Sequence, residues 1–273
     1  MKLPALPDRD NLIERQSEAW RPPIFRPNAT SWDSLLASAR RFLDLQASSI
    51  WRDLRALLVG CNGSVLDVGC GAQPYRSLLP KSVPYQGIDT ADAAAHFGYE
   101  VPDTIYFTGD RWPIDSASRD LVLATETLEH VEHSDRFLAE ARRVLKPDGC
   151  LVLTVPFAAR WHYIPHDYWR FTPSGLRTLL TEAGFAVPTV YARGNEITVA
   201  CYKGMALILM LALGQYRSLF LSIIGRFIGA LLLPVLACLA VIGQISLSSR
   251  GGNDCLGYTV VAAASSLSKG PVP

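Results

Sequence analysis

The sequence predicts an α/β fold: a doubly wound, mostly parallel sheet of seven strands, preceded by helices and interrupted by an apolar helical insertion before its last strand. Three observations carry this expectation. Short apolar runs alternate with helical patterns through the middle of the chain, as the βα units of a parallel sheet do. One run, "VLDVGCG", passes through an acid and breaks into two glycines, the pattern of a strand that turns beneath a nucleotide-like ligand. From Ile197 to Asn253 there is no Asp or Glu, and the only charges are Lys203, Arg217, Arg226 and Arg250.

The elements follow in order. Residues 1–30, with "RPPIFRPNAT", read as an irregular arm. Ser31 suits the N-cap of a helix reaching about Gln46, with Leu35, Leu36, Ala39, Phe42 and Leu43 on one face. A second helix is expected over about Ile50–Leu58, ended by the turn "CNGS". Val65–Val68 is a short buried strand, Ala72–Leu79 a helix, and Tyr85–Ile88 a strand closed by Asp89. Tyr106–Thr108 and "DLVLATE" are the third and fourth strands, and a helix from about Asp135 to Leu145 stops at "KPDG". "CLVLTVP" is the fifth strand. Thr172 at the N-cap, Pro173 at N1 and Gly184 at C′ bracket the next helix. "FAVPTVY" is the sixth strand and "LGYTVVAAAS" the last. The organisation is an arm with helices over 1–60, a catalytic-type domain over 61–200 plus 254–265, and the insertion over 201–253.

At 273 residues the chain buries a full core, and a formal charge of +1 gives no electrostatic case for nucleic acid. Six scattered cysteines without C-x-x-C spacing read as reduced thiols of a cytosolic compartment. The N-terminal stretch lacks the apolar region of a secretory signal.

The glycine turn admits two ligands. A nicotinamide or flavin enzyme needs G-x-G-x-x-G, whose third glycine lets helix and strand pack closely. Here that third position is Pro74, which disfavours a dinucleotide oxidoreductase. The acids sharpen the choice. Asp67 can receive a ligand's ammonium at the end of the first strand. Asp89 suits ribose hydroxyls at the end of the second, and Asp110 follows the third, where an adenine amino group can be met.

In this order, "VLDVGCG", "GID", "GDRWPIDSASRDLVLATETLEHV" and "ARRVLKPDGCLVLTVPF" resemble the class I S-adenosylmethionine (SAM)-dependent methyltransferases, over about Ser64–Gly184 with a final strand near Gly257–Ala262. The resemblance implies a Rossmann-like fold and SAM as cofactor. It implies that Val65–Gly71 hold the methionine end, Asp89 the ribose and Asp110 the adenine. Within the first motif it selects Asp67, Gly69, Cys70 and Gly71; Arg111, Thr125 and Glu126, beside the later motifs, complete the expected cofactor-binding set. Ala117 stands where the family usually has Phe.

Methyl transfer to a hydroxyl or protonated amine needs orientation, exclusion of water and a base. The loop "RWHYIPHDYWRFT" leaves the C-terminal end of the fifth strand, where doubly wound folds build their pockets. It supplies His162, Tyr163, His166, Asp167 and Arg170. His166, Asp167 and His162 are the candidate catalytic residues, with His166 the first choice of base; Trp161, Tyr168, Trp169 and Phe171 either pack under the next helix or frame the acceptor. A second constellation, Glu126, Glu129 and His130 in "ETLEHVEH", offers carboxylates and an imidazole to a divalent ion, completed by His162 or His166. This set resembles one in metal-assisted O-methyltransferases. The alternative is that it organises the loop.

The insertion, with "GMALILMLALG" and "FIGALLLPVLACLAVIGQIS", approaches membrane hydrophobicity. Because the last strand rejoins the sheet, a single span between Lys203 and Arg250 is excluded. The expectation is a helical hairpin on the cytoplasmic membrane face, with Pro234 and Gly225 as kinks and Arg217 and Arg226 reaching headgroups. A buried oligomer interface is the other option. The expected function is O-methylation of a glycan, lipid-linked or other small acceptor at the membrane. A non-catalytic cofactor-binding module, using the insertion as a partner surface, is the alternative.

Overall fold

The computed structural model describes Leu12 and residues 31–93, 101–186, 188–213 and 218–264. The arm over 1–30, apart from Leu12, and Arg217 of the insertion lie outside them. Two helices, α1 (Ser31–Leu43) and α2 (Leu45–Leu58), lead into the sheet. Seven strands follow: β1 (Val65–Val68), β2 (Tyr85–Thr90), β3 (Thr104–Phe107), β4 (Arg119–Thr125), β5 (Leu145–Pro156), β6 (Thr189–Arg193) and β7 (Gly257–Ala263). Helix α3 (Ser134–Val144) joins β4 to β5, and α4 (Pro173–Glu182) joins β5 to β6. Three helices, α5 (Glu196–Leu213), α6 (Leu219–Leu231) and α7 (Leu233–Leu247), fill the β6–β7 connection.

The strand order is β3-β2-β1-β4-β5-β7-β6. β1 to β5 are parallel, and β7 runs antiparallel to both β5 and β6. The order reverses between β1 and β4, the switch point beside which α/β sheets open a crevice at their C-terminal ends. One core lies on the face covered by α3 and α4, around Leu66, Val122, Leu138, Leu153 and Leu180. A second lies under α2, around Leu54, Leu58, Val65 and Leu123.

Several local expectations change. The two N-terminal helices meet at Asp44, whose carboxylate caps α2 by accepting from Ala47 N–H at 3.1 Å. The predicted helix over Ala72–Leu79 is instead a run of turns with a 3-10 segment at Arg76–Leu78. Pro74 explains the loss: it has no N–H to give a helix and pushes Gln73 out of the helical region, here to φ +53°. The bracket around α4 holds, with Thr172 accepting from Gly175 N–H and Gly184 at φ +84°.

The insertion is not a separate body. Leu45 of α2 is buried in a third cluster with Cys201, Met205 and Ile208 of α5 and Leu236, Ala240 and Leu247 of α7. Gly243 of α7 lets Leu45 in, since a Cβ there would meet its side chain at 2.5 Å. Gln244 Nε2 donates to Phe42 O at 2.8 Å, and Ser48 Oγ donates to Gln244 Oε1 at 3.0 Å. At the base, Gly252 N–H donates to Gly194 O at 3.1 Å. Asn195 Nδ2 donates to Ser249 Oγ, and Ser246 Oγ to Asn195 Oδ1. Pro234 opens α7 after a 53° bend from α6, as a kink point should. Gly225 lies inside α6 and is buried. The predicted apolar face of α1 is solvent-facing at Leu36, Phe42 and Leu43.

Candidate active site

A cavity of about 780 Å³ opens at the C-terminal ends of β1, β2 and β4. β1 drives Asp67 into it. The carboxylate is buried and accepts from Tyr85 Oη at 2.8 Å. Burial pushes its pKa up to about 7; the Tyr85 hydrogen bond opposes the shift and the charge of Asp89 adds to it. Gly69 and Gly71 take φ of +67° and +48°, values that L side chains resist. A Cβ on Gly69 would also collide with the Thr127 side chain at 2.4 Å. Gly71 N–H donates to Asp89 Oδ2 at 2.9 Å, and Thr90 N–H to Asp89 Oδ1 at 2.8 Å. Asp89 is buried and its pKa raised by desolvation, which those two N–H groups oppose. The backbone turn and the acid closing β2 are thus one unit.

The other expected cofactor residues divide. Cys70 lines the cavity, but its thiol lies against Thr104 at 3.7 Å and over Gly87, and burial pushes its pKa up to about 12. Thr125 lines the cavity; its Oγ1 is buried with no hydrogen-bond partner. Asp110 lines it while pairing with Arg136 at 2.7 Å. Arg111 is exposed and is not among the lining residues. Its neighbour Trp112, buried against Phe137, lines the cavity instead.

Glu126 lines the cavity but turns one carboxylate oxygen to Arg193, at 2.7 Å. Arg193, at the end of β6, is buried. It also donates to Val155 O at 3.0 Å and to Ser49 Oγ of α2 at 3.2 Å. This arginine joins β4, β5, β6 and α2 behind the site. Nothing local in "YARGNE" signals that role.

His130, His162, Tyr163 and His166 line the other side. Asp167 lies behind them and organises the loop: it accepts His162 N–H at 2.9 Å and both Arg170 Nη atoms at 2.6 and 2.8 Å. Burial works against its ionisation, but the Arg170 fork and His162 hold the carboxyl well below the usual carboxylate range. His162 Nδ1 is 3.1 Å from Asp167 Oδ2, so a carboxylate orients this imidazole. His166 has no such support; it is exposed, with Nδ1 3.3 Å from Tyr168 Oη. Phe171 is buried, whereas Tyr168 and Trp169 are exposed, so the loop's aromatics serve both packing and surface.

His130 Nδ1 is 2.6 Å from His166 O, which places the proton on Nδ1 and leaves Nε2 as an acceptor. Burial lowers the His130 pKa to about 4, so the ring is neutral. Its Nε2 faces Glu129 Oε1 at 3.6 Å. Glu129 is fully buried, neither carboxylate oxygen has a hydrogen-bond partner, and burial with the nearby Glu126 raises its pKa well above the usual range. Ligand atoms of Glu129, His130 and His162 lie within 4.8 Å of one another. Of the expected metal set, Glu129 and His130 lie together with His162, one of the two histidines expected to complete it, while Glu126 turns to Arg193.

Residues 40–190, more than half of the chain, match the methyltransferase domain family. A malonyl-[acyl-carrier protein] O-methyltransferase of Geobacter sulfurreducens is 25% identical over 193 residues, 61% of this chain and 70% of that protein. An uncharacterised protein of transposon Tn4556 from Streptomyces fradiae is 31% identical over 156 residues, 46% of this chain; the chain spans 44% of it. A SAM-dependent methyltransferase structure from Thermotoga maritima aligns with a TM-score of 0.50 at 14% identity, covering 85% of this chain and 97% of that one, and shows the shared fold. The glycine turn on Asp89, the acid ending β1 and the strand order agree with the family match: the chain belongs to the class I SAM-dependent methyltransferases.

Proposed function

We propose that the protein is a membrane-associated O-methyltransferase that methylates a hydroxyl of a glycan, lipid-linked or other small acceptor at the cytoplasmic membrane face. One observation carries the membrane part. The insertion rises from the C-terminal edge of the sheet, the edge that holds the cavity, because Arg193 at the end of β6 pairs with Gly257, which pairs with Pro156 at the end of β5. Its outer surface is apolar: Leu219, Phe220, Ile223, Phe227 and Leu231 of α6 and Ile245 of α7 are each at least 60% exposed. A solvent-facing patch of that kind aggregates, whereas a bilayer accepts it. One described helix, α5, is long and apolar enough to cross a membrane, and α6 with α7 qualifies as a bent pair. Both ends of the insertion nevertheless meet at Gly194 and Gly252, which suits a hairpin that enters and returns. The relative named as an O-methyltransferase supports oxygen as the accepting atom.

SAM supplies the methyl group and its sulfonium leaving group. The chain's residues do the rest. Asp67 and Asp89 hold the ammonium and ribose ends, and Thr125 and Tyr163 line the same cavity. His162, oriented through Nδ1 by Asp167, takes the acceptor's proton at Nε2. A second reading has a specific observation in its favour. The orphaned Glu129 carboxyl, with two imidazoles each fixed through Nδ1 by an oxygen, has the donor set and outer support of a divalent-ion site. An ion there would orient an acceptor oxygen. Loss of activity in EDTA with recovery in Mg²⁺ would select that reading; activity unchanged by EDTA leaves His162 as the base.

Fractionation tests the membrane part. The full-length protein should be recovered with membranes. Changing Phe220, Phe227 and Leu231 to Ser should move it to the soluble fraction with S-adenosylhomocysteine binding intact. Recovery of the unaltered protein in the soluble fraction, without detergent, defeats the reading.

A further inference from the structure

We infer that Tyr85, the first residue of β2, is a positioning residue for the cofactor: its hydroxyl holds Oδ2 of Asp67 and leaves the other carboxylate oxygen to the ammonium of SAM. This deepens the assignment of Asp67 to that ammonium and rests on it. The parallel register sets Tyr85 beside Val65 and Gly87 beside Asp67. Alternation along the strands puts Tyr85 on the face that Asp67 shares with Val65. The β2 residue opposite Asp67 thus carries no side chain, and the tyrosine two residues before it reaches across. Tyr85 Oη donates to Asp67 Oδ2 at 2.8 Å.

The ring is held by the turns that follow Gly71. The Arg76 guanidinium lies 4.8 Å over its centroid, a favourable seat for a cation. Arg76 Nη1 donates to Gln73 Oε1 at 2.9 Å, and Gln73 Nε2 donates to Thr104 Oγ1 of β3 at 2.9 Å. Gly87 leaves the room this needs, since a Cβ there would meet Cys70 Sγ at 2.8 Å and Gln73 Nε2 at 3.0 Å. The segment that stands where a helix was expected therefore braces Tyr85 against Asp67.

The other groups around Asp67 give its charge no support. Asp89, at the far end of β2, repels it. Burial keeps Cys70 and Tyr75 as neutral thiol and phenol. Leu123, the partner of Asp67 on β4, is apolar, and Arg76 sits on the ring rather than on the carboxylate. Tyr85 itself stays protonated, because burial and the charge of Asp67 both raise its pKa. A buried carboxylate that must meet a cationic ligand needs such a donor to stay ionised.

Calorimetric titration of S-adenosylhomocysteine into the full-length protein in neutral detergent, between about pH 5.5 and pH 8.5, tests the inference. Tyr85→Phe keeps the ring and its Arg76 contact and removes only the donor. Losing a donor to the charged form raises the Asp67 pKa, so the midpoint of the affinity profile should move up by about one pH unit. Binding should be at least about fivefold weaker near pH 6.5 and within about twofold near pH 8.5. The double variant with Asp67→Asn should bind as Asp67→Asn alone does, because Tyr85 acts through that carboxylate. A midpoint unmoved in Tyr85→Phe, or an affinity lowered equally at every pH as a merely structural role requires, overturns the inference while the Asp67 assignment stands. A flat profile in the unaltered protein, with affinity unchanged in Asp67→Asn, removes that assignment and the inference with it.

Discussion

The two halves of the cavity are built by different means. The cofactor half is local: Asp67, Gly69, Gly71 and Asp89 lie within one βαβ-length stretch, and Gly71 reaches Asp89 through one backbone hydrogen bond. The acceptor half is assembled from afar. His130 is oriented by His166 and Glu126 by Arg193, and Arg40 of α1 lines the cavity from the far end of the chain. Parallel-strand register suffices for the first half; the second depends on pairings that only the finished fold creates. Substitutions in the cofactor half should therefore act on binding alone, and those in the acceptor half on chemistry or on folding.

The largest effect is expected at His162. With radiolabelled SAM and a membrane lipid extract as acceptor, His162→Ala should lower methyl transfer by about 10²–10⁴-fold, with S-adenosylhomocysteine binding unchanged. His166→Ala should lose less than tenfold, since that ring has no orienting carboxylate. A larger loss at His166 than at His162 reverses the assignment.

Next comes Arg193. Replacing it with Met leaves the partly exposed Glu126 carboxylate and the Val155 carbonyl without this partner, and losing hydrogen bonds to a charged group costs about 1.5–3 kcal/mol. Thermal unfolding should shift down accordingly. The double variant with Glu126→Gln should recover part of the loss. An unchanged midpoint in Arg193→Met would show that the halves are not tied through this residue.

Asp89→Ala is expected to cost S-adenosylhomocysteine binding roughly 2–4 kcal/mol, by loss of charge-assisted hydrogen bonds. Affinity within twofold of the original removes Asp89 from the ribose.

The smallest effect is a pH dependence. Asp67, with its pKa near 7, is largely protonated below neutrality in the cofactor-free protein, and a ligand ammonium needs the carboxylate. S-adenosylhomocysteine affinity should fall about tenfold from pH 8 to pH 6 and become flat in Asp67→Asn. A flat profile in the unaltered protein would mean that Asp67 does not meet the ammonium.

The same division explains what could be read from the sequence. β1 lies where it is expected, Val65–Val68, and the acids end their strands, because apolar runs and glycine turns specify register over a few residues. The helix expected after Gly71 failed because Pro74 outweighs the apolar spacing of Ala72–Leu79. Arg111 was expected at the cofactor from the motif beside it, whereas it is exposed and its neighbour Trp112 lines the cavity. Arg193 is an ordinary arginine in sequence; its role arises from contacts made across most of the chain. Asp167 was recognised as important, but its work is to hold His162 and Arg170.

The β6–β7 hairpin, whose two arms stay bonded from Thr189–Val261 to Arg193–Gly257 and again at Gly194–Gly252, behaves as a socket. Whatever chain is threaded between its arms starts and finishes at the same point, so the sheet does not register the length of the excursion. Loop-closure cost grows only logarithmically, by about 0.6 kcal/mol for each doubling. The strand order is therefore indifferent to the three apolar helices threaded there, and what fixes their place is packing on Leu45 and the hydrogen bonds of Gln244.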